Sequence, residues 1–235
     1  MNIRDLFKSR ETFKDIPFLG LNQWFLVFAG LYLALITASL LIMRLPGEYI
    51  FLRNSRLTGM LFYPFALLSI SLIVLKKIGV DFVAELKDWG SNFKTDTLLG
   101  LFYFCAYLLL IGLLLVLGFG NFMEDSGDAA LSAALRKNPL TLSVVVFSAV
   151  ILAPLGEEIA FKRLLYVGMR RTYSVIRAIL ICSLLFVLLH SHSAFLPMII
   201  FVPVTYYMYE RHQRLPANII LHALINLAAV LGLIL

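Results

Sequence analysis

The sequence predicts an all-α protein, a polytopic bundle of about seven transmembrane helices with one amphipathic helix at the membrane surface. Hydrophobic residues make up 61% of the 235 residues and charged residues 14%, against about 45–50% and about 25% in soluble domains. The apolar residues form long runs, and most basic residues lie between them. Because a soluble domain of this size leaves much of its surface in water, it cannot enclose so many apolar side chains.

A transmembrane helix needs about 20 mostly apolar residues. The predicted spans are residues 21–43, 57–75, 98–119, 140–161, 178–190, 194–209 and 215–235. The fifth and sixth are short and are separated only by residues 191–193, so a re-entrant turn or a tilted helix is an alternative there. An eighth span, hidden in a connector, is also possible and would move the C-terminus to the other side of the membrane.

Residues 80–97 predict the amphipathic helix, because their apolar side chains recur at nearly helical spacing between charged ones. Asp81, Glu85 and Asp88 are interpreted as its solvated face. The chain as a whole, residues 1–235, is predicted to be a single membrane domain, whose motif-bearing core covers approximately residues 140–235.

The basic residues predict orientation and exclude one class of partner. Fifteen of the 20 lysines and arginines fall on the segments that share a side with the N-terminus, which predicts a cytoplasmic N-terminus. Nucleic-acid binding requires basic residues clustered on one exposed face, and here they are dispersed, so no nucleic-acid partner is expected. Arg170 and Arg171 are interpreted as marking the membrane edge.

Ionisable residues inside apolar runs are the candidate functional residues, because each costs at least ~2.5 kcal/mol at the bilayer centre. Three clusters occur: Glu157 and Glu158 after a proline and a glycine, His190 at the end of a run, and His222 with Asn226 in the last span. Helix-to-helix hydrogen bonding is the alternative interpretation of a single histidine. A set of three clusters favours a polar pocket that hydrolyses a carbonyl compound.

The two adjacent carboxylates are expected to have different roles, because neighbouring helical residues point about 100° apart. Lys162 lies four residues after Glu158, which suits a helical ion pair. That pair leaves Glu157 for activating a water or binding a metal. His222 and Asn226 are also four residues apart and share a helix face. An interfacial ion-pair cluster of both carboxylates with Lys162 and Arg163 is the alternative.

At these clusters the sequence resembles the CPBP family of intramembrane proteases, which includes the type 2 CAAX prenyl endopeptidases and bacterial relatives linked to bacteriocin processing and self-immunity. The family carries Glu-Glu-x-x-x-Arg, Phe-x-x-x-His and His-x-x-x-Asn/Asp on separate membrane helices. The corresponding residues here are 157–162, 186–190 and 222–226. The resemblance covers roughly the last third of the chain.

The resemblance implies that Glu157 and His190 activate the attacking water and that His222 and Asn226 stabilise the oxyanion, with Glu158 supporting the site. Lys162 stands where the family has arginine and lacks its planar, bidentate guanidinium. Either Lys162 or the following Arg163 is therefore expected to pair with Glu158. This departure also leaves open a diverged member without peptidase activity.

The cofactor stays open between none and a divalent metal such as zinc. Glu157, His190 and His222 could supply three ligands with an open position, and the resemblance favours a metal-free scheme. The His-Glu-x-x-His signature is absent from the sequence.

The leading hypothesis is an intramembrane endopeptidase that acts on a membrane-associated peptide or protein terminus, with the lipid bilayer as its other partner and a prokaryotic cell membrane as its location. The alternatives are a non-catalytic scaffold, immunity or regulatory protein on the same fold, and a proton-coupled transporter. A transporter is disfavoured because the intramembrane polar residues occur only in the C-terminal part, without two repeated halves.

Overall fold

The computed structural model describes residues 13, 16–42, 44, 55–118, 129–188 and 195–234, and within these ranges the regular structure is helical. We number the helices α1 (Leu21–Ile42), α2 (Ser55–Lys77), α3 (Phe82–Ser91), α4 (Phe93–Val116), α5 (Ala129–Lys137), α6 (Pro139–Thr172), α7 (Val175–Leu188), α8 (Phe195–His212) and α9 (Leu215–Ile234). The predicted all-α fold class is confirmed.

Each predicted span overlaps one of these helices, although most of the bounds differ by a few residues. In the described part of the chain, α4, α6 and α9 are long and apolar enough to cross a membrane, and Leu21–Thr37 and α7 are shorter apolar helices. The protein is an integral membrane protein, and the total of seven spans stays a prediction. The fourth span was predicted to end at residue 161, whereas α6 continues without a break to Thr172.

Helix α6 is the central element, with 34 residues and thus about 50 Å of length at 1.5 Å per residue. Asn138 caps it: its side chain accepts hydrogen bonds from the N–H groups of Leu140 and Thr141 at 3.0 and 3.2 Å. Two stretches inside it, Phe147–Leu152 and Glu158–Tyr166, are π-helical. Such widened turns occur frequently at functional sites.

Two glycines allow the helices around α6 to approach closely. A Cβ atom on Gly156 would lie 3.1 Å from the backbone nitrogen of Leu68, so this glycine lets α2 pack directly on α6. A Cβ atom on Gly100 would lie 2.9 Å from Cγ2 of Ile220, so this glycine lets α4 approach α9 closely. Close packing of small residues is the usual basis of helix association in membranes.

Helix α3 lies where the amphipathic helix was predicted. The Asp81 side chain caps it by accepting the Ala84 N–H at 3.0 Å. Phe82 and Trp89 are in edge-to-face contact, with ring centroids 5.9 Å apart, and pack against the main core. Asn92 alone separates α3 from α4.

Arg170, which the sequence predicts to mark the membrane edge, has a buried side chain, and its level in the membrane stays a prediction. Its guanidinium donates to both carboxylate oxygens of Glu210, at 2.9 and 3.0 Å, and to the Tyr173 carbonyl at 2.7 Å. Tyr166 donates to the same carboxylate at 2.9 Å. This fully hydrogen-bonded group joins the end of α6 to α8, as a buried ion pair requires.

We therefore expect Glu210→Gln to lower the free energy of unfolding by about 3 kcal/mol, because the buried Arg170 cation loses its counter-charge. Thermal unfolding in detergent measures this. Arg177→Gln is the matched control, since Arg177 is exposed and its replacement should change stability by less than about 0.5 kcal/mol. Equal melting temperatures for the two variants would contradict the assigned role of the pair.

Candidate active site

The two carboxylates lie at a change of helix type within α6. Glu157 is the last residue of the α-helical turn Ala153–Glu157, and Glu158 is the first residue of the second π-helical stretch. Their residues are only 5% and 2% exposed. Burial of an ionised carboxylate is tolerated only when charged or hydrogen-bonding groups compensate for the lost water.

Glu158 has two such partners. Its Oε2 lies 2.5 Å from the Lys162 ammonium, one helical turn away, and its Oε1 lies 3.0 Å from Nδ1 of His222 on α9. Lys162 also lies over the ring of Tyr206, 5.0 Å from the centroid. The ion pair that the four-residue spacing predicts is present, and Glu158 links α6 to α9.

The contact with Glu158 determines how His222 is oriented. An ionised carboxylate can only accept hydrogen bonds, so Nδ1 of His222 must carry a hydrogen. Nε2 then faces Glu157, 3.7 Å from its Oε2. In the neutral imidazole Nε2 is an acceptor, and in the imidazolium it is a donor. One histidine is thus placed between the two carboxylates.

Asn226 lies one turn further along α9 and donates from Nδ2 to the carbonyl of Ala149 at 2.7 Å. This carbonyl has lost its usual partners within α6. Residues 153 and 154 would normally serve it, but the Ala153 N–H donates to Ser148 and Pro154 has no N–H. The Asn226 amide therefore replaces a backbone hydrogen bond, and its second amide hydrogen and its carbonyl oxygen lie outside this contact.

The structure thus brings Glu157, Glu158, His222 and Asn226 to the interface between α6 and α9. His190, the remaining predicted catalytic residue, lies outside the described residues, so its approach to Glu157 stays a prediction. His192, two residues further on, also lies there.

Arg163, the other candidate partner of Glu158, points elsewhere. Its guanidinium donates to Oε1 of Glu85 on α3, at 3.1 and 3.3 Å, and to the Pro17 carbonyl at 2.9 Å. Lys162 therefore holds the place beside Glu158, and Arg163 ties α6 to α3 and to the segment before α1. Both cations are buried.

Of the residues interpreted as the solvated face of α3, Asp88 is 54% exposed, whereas Glu85 is half-buried. Glu85 pairs with Arg163, and Asp88 pairs with Arg214 in the turn between α8 and α9. A signal for the contact of Arg163 was present in the sequence: Arg163 follows Lys162, precedes an apolar run and needs an anion, and the acidic connector is one of its few possible sources.

The metal alternative stays open. Among the described residues, no group of three or more histidine, cysteine, aspartate or glutamate side chains is placed to hold a metal ion. Glu157 and His222 could contribute two ligands, with Glu158 orienting the histidine through its other nitrogen. The third predicted ligand, His190, lies in the part that the structure does not describe.

Residues 139–228, which contain every one of these candidate site residues, match the family model for Rce1-like type II CAAX prenyl endopeptidases. The match covers the C-terminal part of the chain and shows that this part is similar to that family. No curated protein and no solved structure matches the chain. The predicted resemblance to the CPBP and CAAX proteases is confirmed.

The link between Asn226 and Ala149 can be tested through Pro154. We expect Asn226→Leu to destabilise the protein by about 1–3 kcal/mol, because the Ala149 carbonyl loses its donor. In a Pro154→Ala background, where residue 154 regains an N–H, the same change should cost about 1 kcal/mol less. Thermal unfolding of the four proteins in detergent gives both values. Equal costs in the two backgrounds would show that Asn226 does not replace the missing bond.

Proposed function

We propose that the protein is an intramembrane endopeptidase that hydrolyses a peptide bond in a membrane-associated peptide or near a protein terminus. The observation that carries this proposal is the hydrogen bond from His222 to Glu158, which turns the other imidazole nitrogen toward Glu157. A carboxylate that can take a proton from water, beside a fixed imidazole that can donate to a developing oxyanion, is suited to peptide hydrolysis.

In the proposed reaction, the Glu157 carboxylate, together with His190, takes a proton from a water molecule. The water oxygen forms a bond to the carbonyl carbon of the scissile peptide, and the carbonyl oxygen becomes an oxyanion. The proton then passes to the amide nitrogen of the leaving group as the C–N bond breaks. The products are a carboxylate and an amine, and no other reactant is required.

His222 and Asn226 are the proposed oxyanion donors. His222 can donate from Nε2 only as the imidazolium, because Nδ1 already donates to Glu158. Its ring nitrogens lie 3.0 Å from a Glu158 oxygen and 3.7 Å from a Glu157 oxygen. Asn226 has a second amide hydrogen available beside the one it gives to Ala149. Fixed donors of this kind stabilise developing charge without reorganisation.

Glu158 and Lys162 are assigned a supporting role. The ammonium of Lys162 neutralises one oxygen of Glu158, and the other oxygen fixes the His222 ring. Lysine provides the positive charge without the bidentate fork of arginine. Contact with one oxygen of Glu158 is sufficient for this role, because the other oxygen accepts from His222. If a divalent metal is bound, Glu157, His190 and His222 are its proposed ligands, and the metal would polarise the carbonyl or the water.

The substrate is proposed to reach the site from the bilayer or from the cytoplasmic side, with the N-terminus of the enzyme in the cytoplasm. This orientation is supported by the distribution of basic residues along the chain.

The two carboxylates provide a matched pair of variants. We expect Glu157→Gln to reduce cleavage about 10²–10⁴-fold, because the general base is removed, with little change in the melting temperature, since Lys162 keeps its pair with Glu158. Glu158→Gln should lower both activity and stability, by about 3 kcal/mol, because it removes the counter-charge of a buried lysine. The measurements are thermal unfolding in detergent and cleavage of a membrane-associated peptide library by purified protein.

If both variants keep full cleavage, the endopeptidase proposal fails and the non-catalytic scaffold takes its place. If Glu157→Gln alone unfolds the protein, the chemical and structural roles of the two carboxylates are reversed.

A further inference from the structure

Helix α3 contacts α6 and the turn that leads into α9, the two helices that carry the candidate site, although it contributes no residue to the site itself. Its Glu85 holds Arg163 of α6, at 3.1 Å, and its Asp88 holds Arg214, the residue just before α9, at 2.6 Å. Arg163 directly follows Lys162, the partner of Glu158. Arg214 precedes His222 by two helical turns.

The Arg214 contacts reach the site helix through a short chain of hydrogen bonds. Its guanidinium donates to both oxygens of the buried Asp96 at 2.8 and 2.6 Å. These hydrogen bonds with Asp96, and the one with Asp88, raise the pKa of Arg214, so it stays charged. The Arg214 carbonyl accepts a hydrogen bond from Asn218 at 3.2 Å, and His222 lies one turn beyond Asn218.

The other side of α3 is apolar and exposed. Val83 is 62% exposed and Leu86 46%, and Phe93, the first residue of α4, is 66% exposed. Lys87 and Lys94 are exposed directly after Leu86 and Phe93. Because α4 is long and apolar enough to cross a membrane and only Asn92 separates it from α3, this surface lies at the level where α4 enters the bilayer.

An apolar surface flanked by lysines is complementary to a bilayer that contains anionic lipid. We propose that α3 binds the anionic lipid surface and positions the two site-bearing helices, with Glu85 and Asp88 as positioning residues. The position of α3 in the lipid interface is then transmitted to Glu158 through Arg163 and to His222 through Arg214. The catalytic part of this inference rests on the proposed function, and the lipid part does not.

The test uses the full-length protein in nanodiscs of phosphatidylcholine, with and without phosphatidylglycerol, and measures amide hydrogen exchange. In the wild type we expect phosphatidylglycerol to slow exchange at residues 82–91 and 214–222 by about 5-fold or more. In Glu85→Gln/Asp88→Asn the lipid should slow exchange only at residues 82–91. Ala84→Gln, which changes an exposed side chain of the same helix, should behave like the wild type.

A purely structural role for α3 would give no dependence on the lipid, so an unchanged exchange rate at residues 82–91 overturns the proposal. The proposal is also overturned if phosphatidylglycerol still slows exchange at residues 214–222 in the double variant. If the double variant does not fold, Asp88→Asn alone takes its place, since that carboxylate is 54% exposed. Replacing Lys87 and Lys94 by glutamine should remove the effect of phosphatidylglycerol at both segments.

Activity provides a separate measurement. In a cleavage assay the double variant should show a kcat about 5-fold lower with KM nearly unchanged, because the site is misaligned while the substrate still binds. If the wild type cleaves no substrate, the proposed function fails, and hydrogen exchange alone decides the inference about α3.

Discussion

The arrangement of the C-terminal half depends on the buried carboxylate of Glu158. In a poorly hydrated interior this charge must be compensated, and two groups do so: Lys162 from the same helix and His222 from α9. The first contact is local and forms with the helix. The second can form only when α9 lies against α6 at one particular height and rotation. Compensation of a single charge thus brings the imidazole between the two carboxylates.

The backbone of α6 contributes the second constraint. Pro154 removes a donor one turn before Glu157, and the helix on both sides of this turn is π-helical. The Ala149 carbonyl left without its backbone partner accepts from Asn226. The Ala160 carbonyl, in the second π-helical stretch, accepts from Trp24 of α1 at 3.0 Å. Irregular backbone thus provides attachment points for neighbouring helices, which a regular α-helix, with its carbonyls already bonded, lacks.

The sequence was sufficient to predict features that depend on local spacing. Runs of apolar residues located the helices, and four-residue spacing predicted both the pair of Glu158 with Lys162 and the shared face of His222 and Asn226. Partners distant in the chain were not predictable, because nothing local distinguishes a charge paired 40 or 118 residues away, as in Arg170 with Glu210 and Arg214 with Asp96. The π-helical stretches were also missed, since the pattern of apolar residues in a short stretch cannot distinguish a π-helical turn from an α-helical turn.

The cations of α6 explain why such distant partners are specific. Lys162, Arg163 and Arg170 are all buried, and each pairs with a carboxylate from a different element: Glu158 of α6 itself, Glu85 of α3 and Glu210 of α8. Apolar side chains alone would allow neighbouring helices to slide along α6, because lipid is as apolar as their contacts. A misplaced helix would instead leave a buried charge without its partner, at a cost of several kcal/mol. The charged second half of α6 therefore determines which helix packs at which height along α6. The candidate site lies at the first of these ion pairs, that of Glu158 with Lys162.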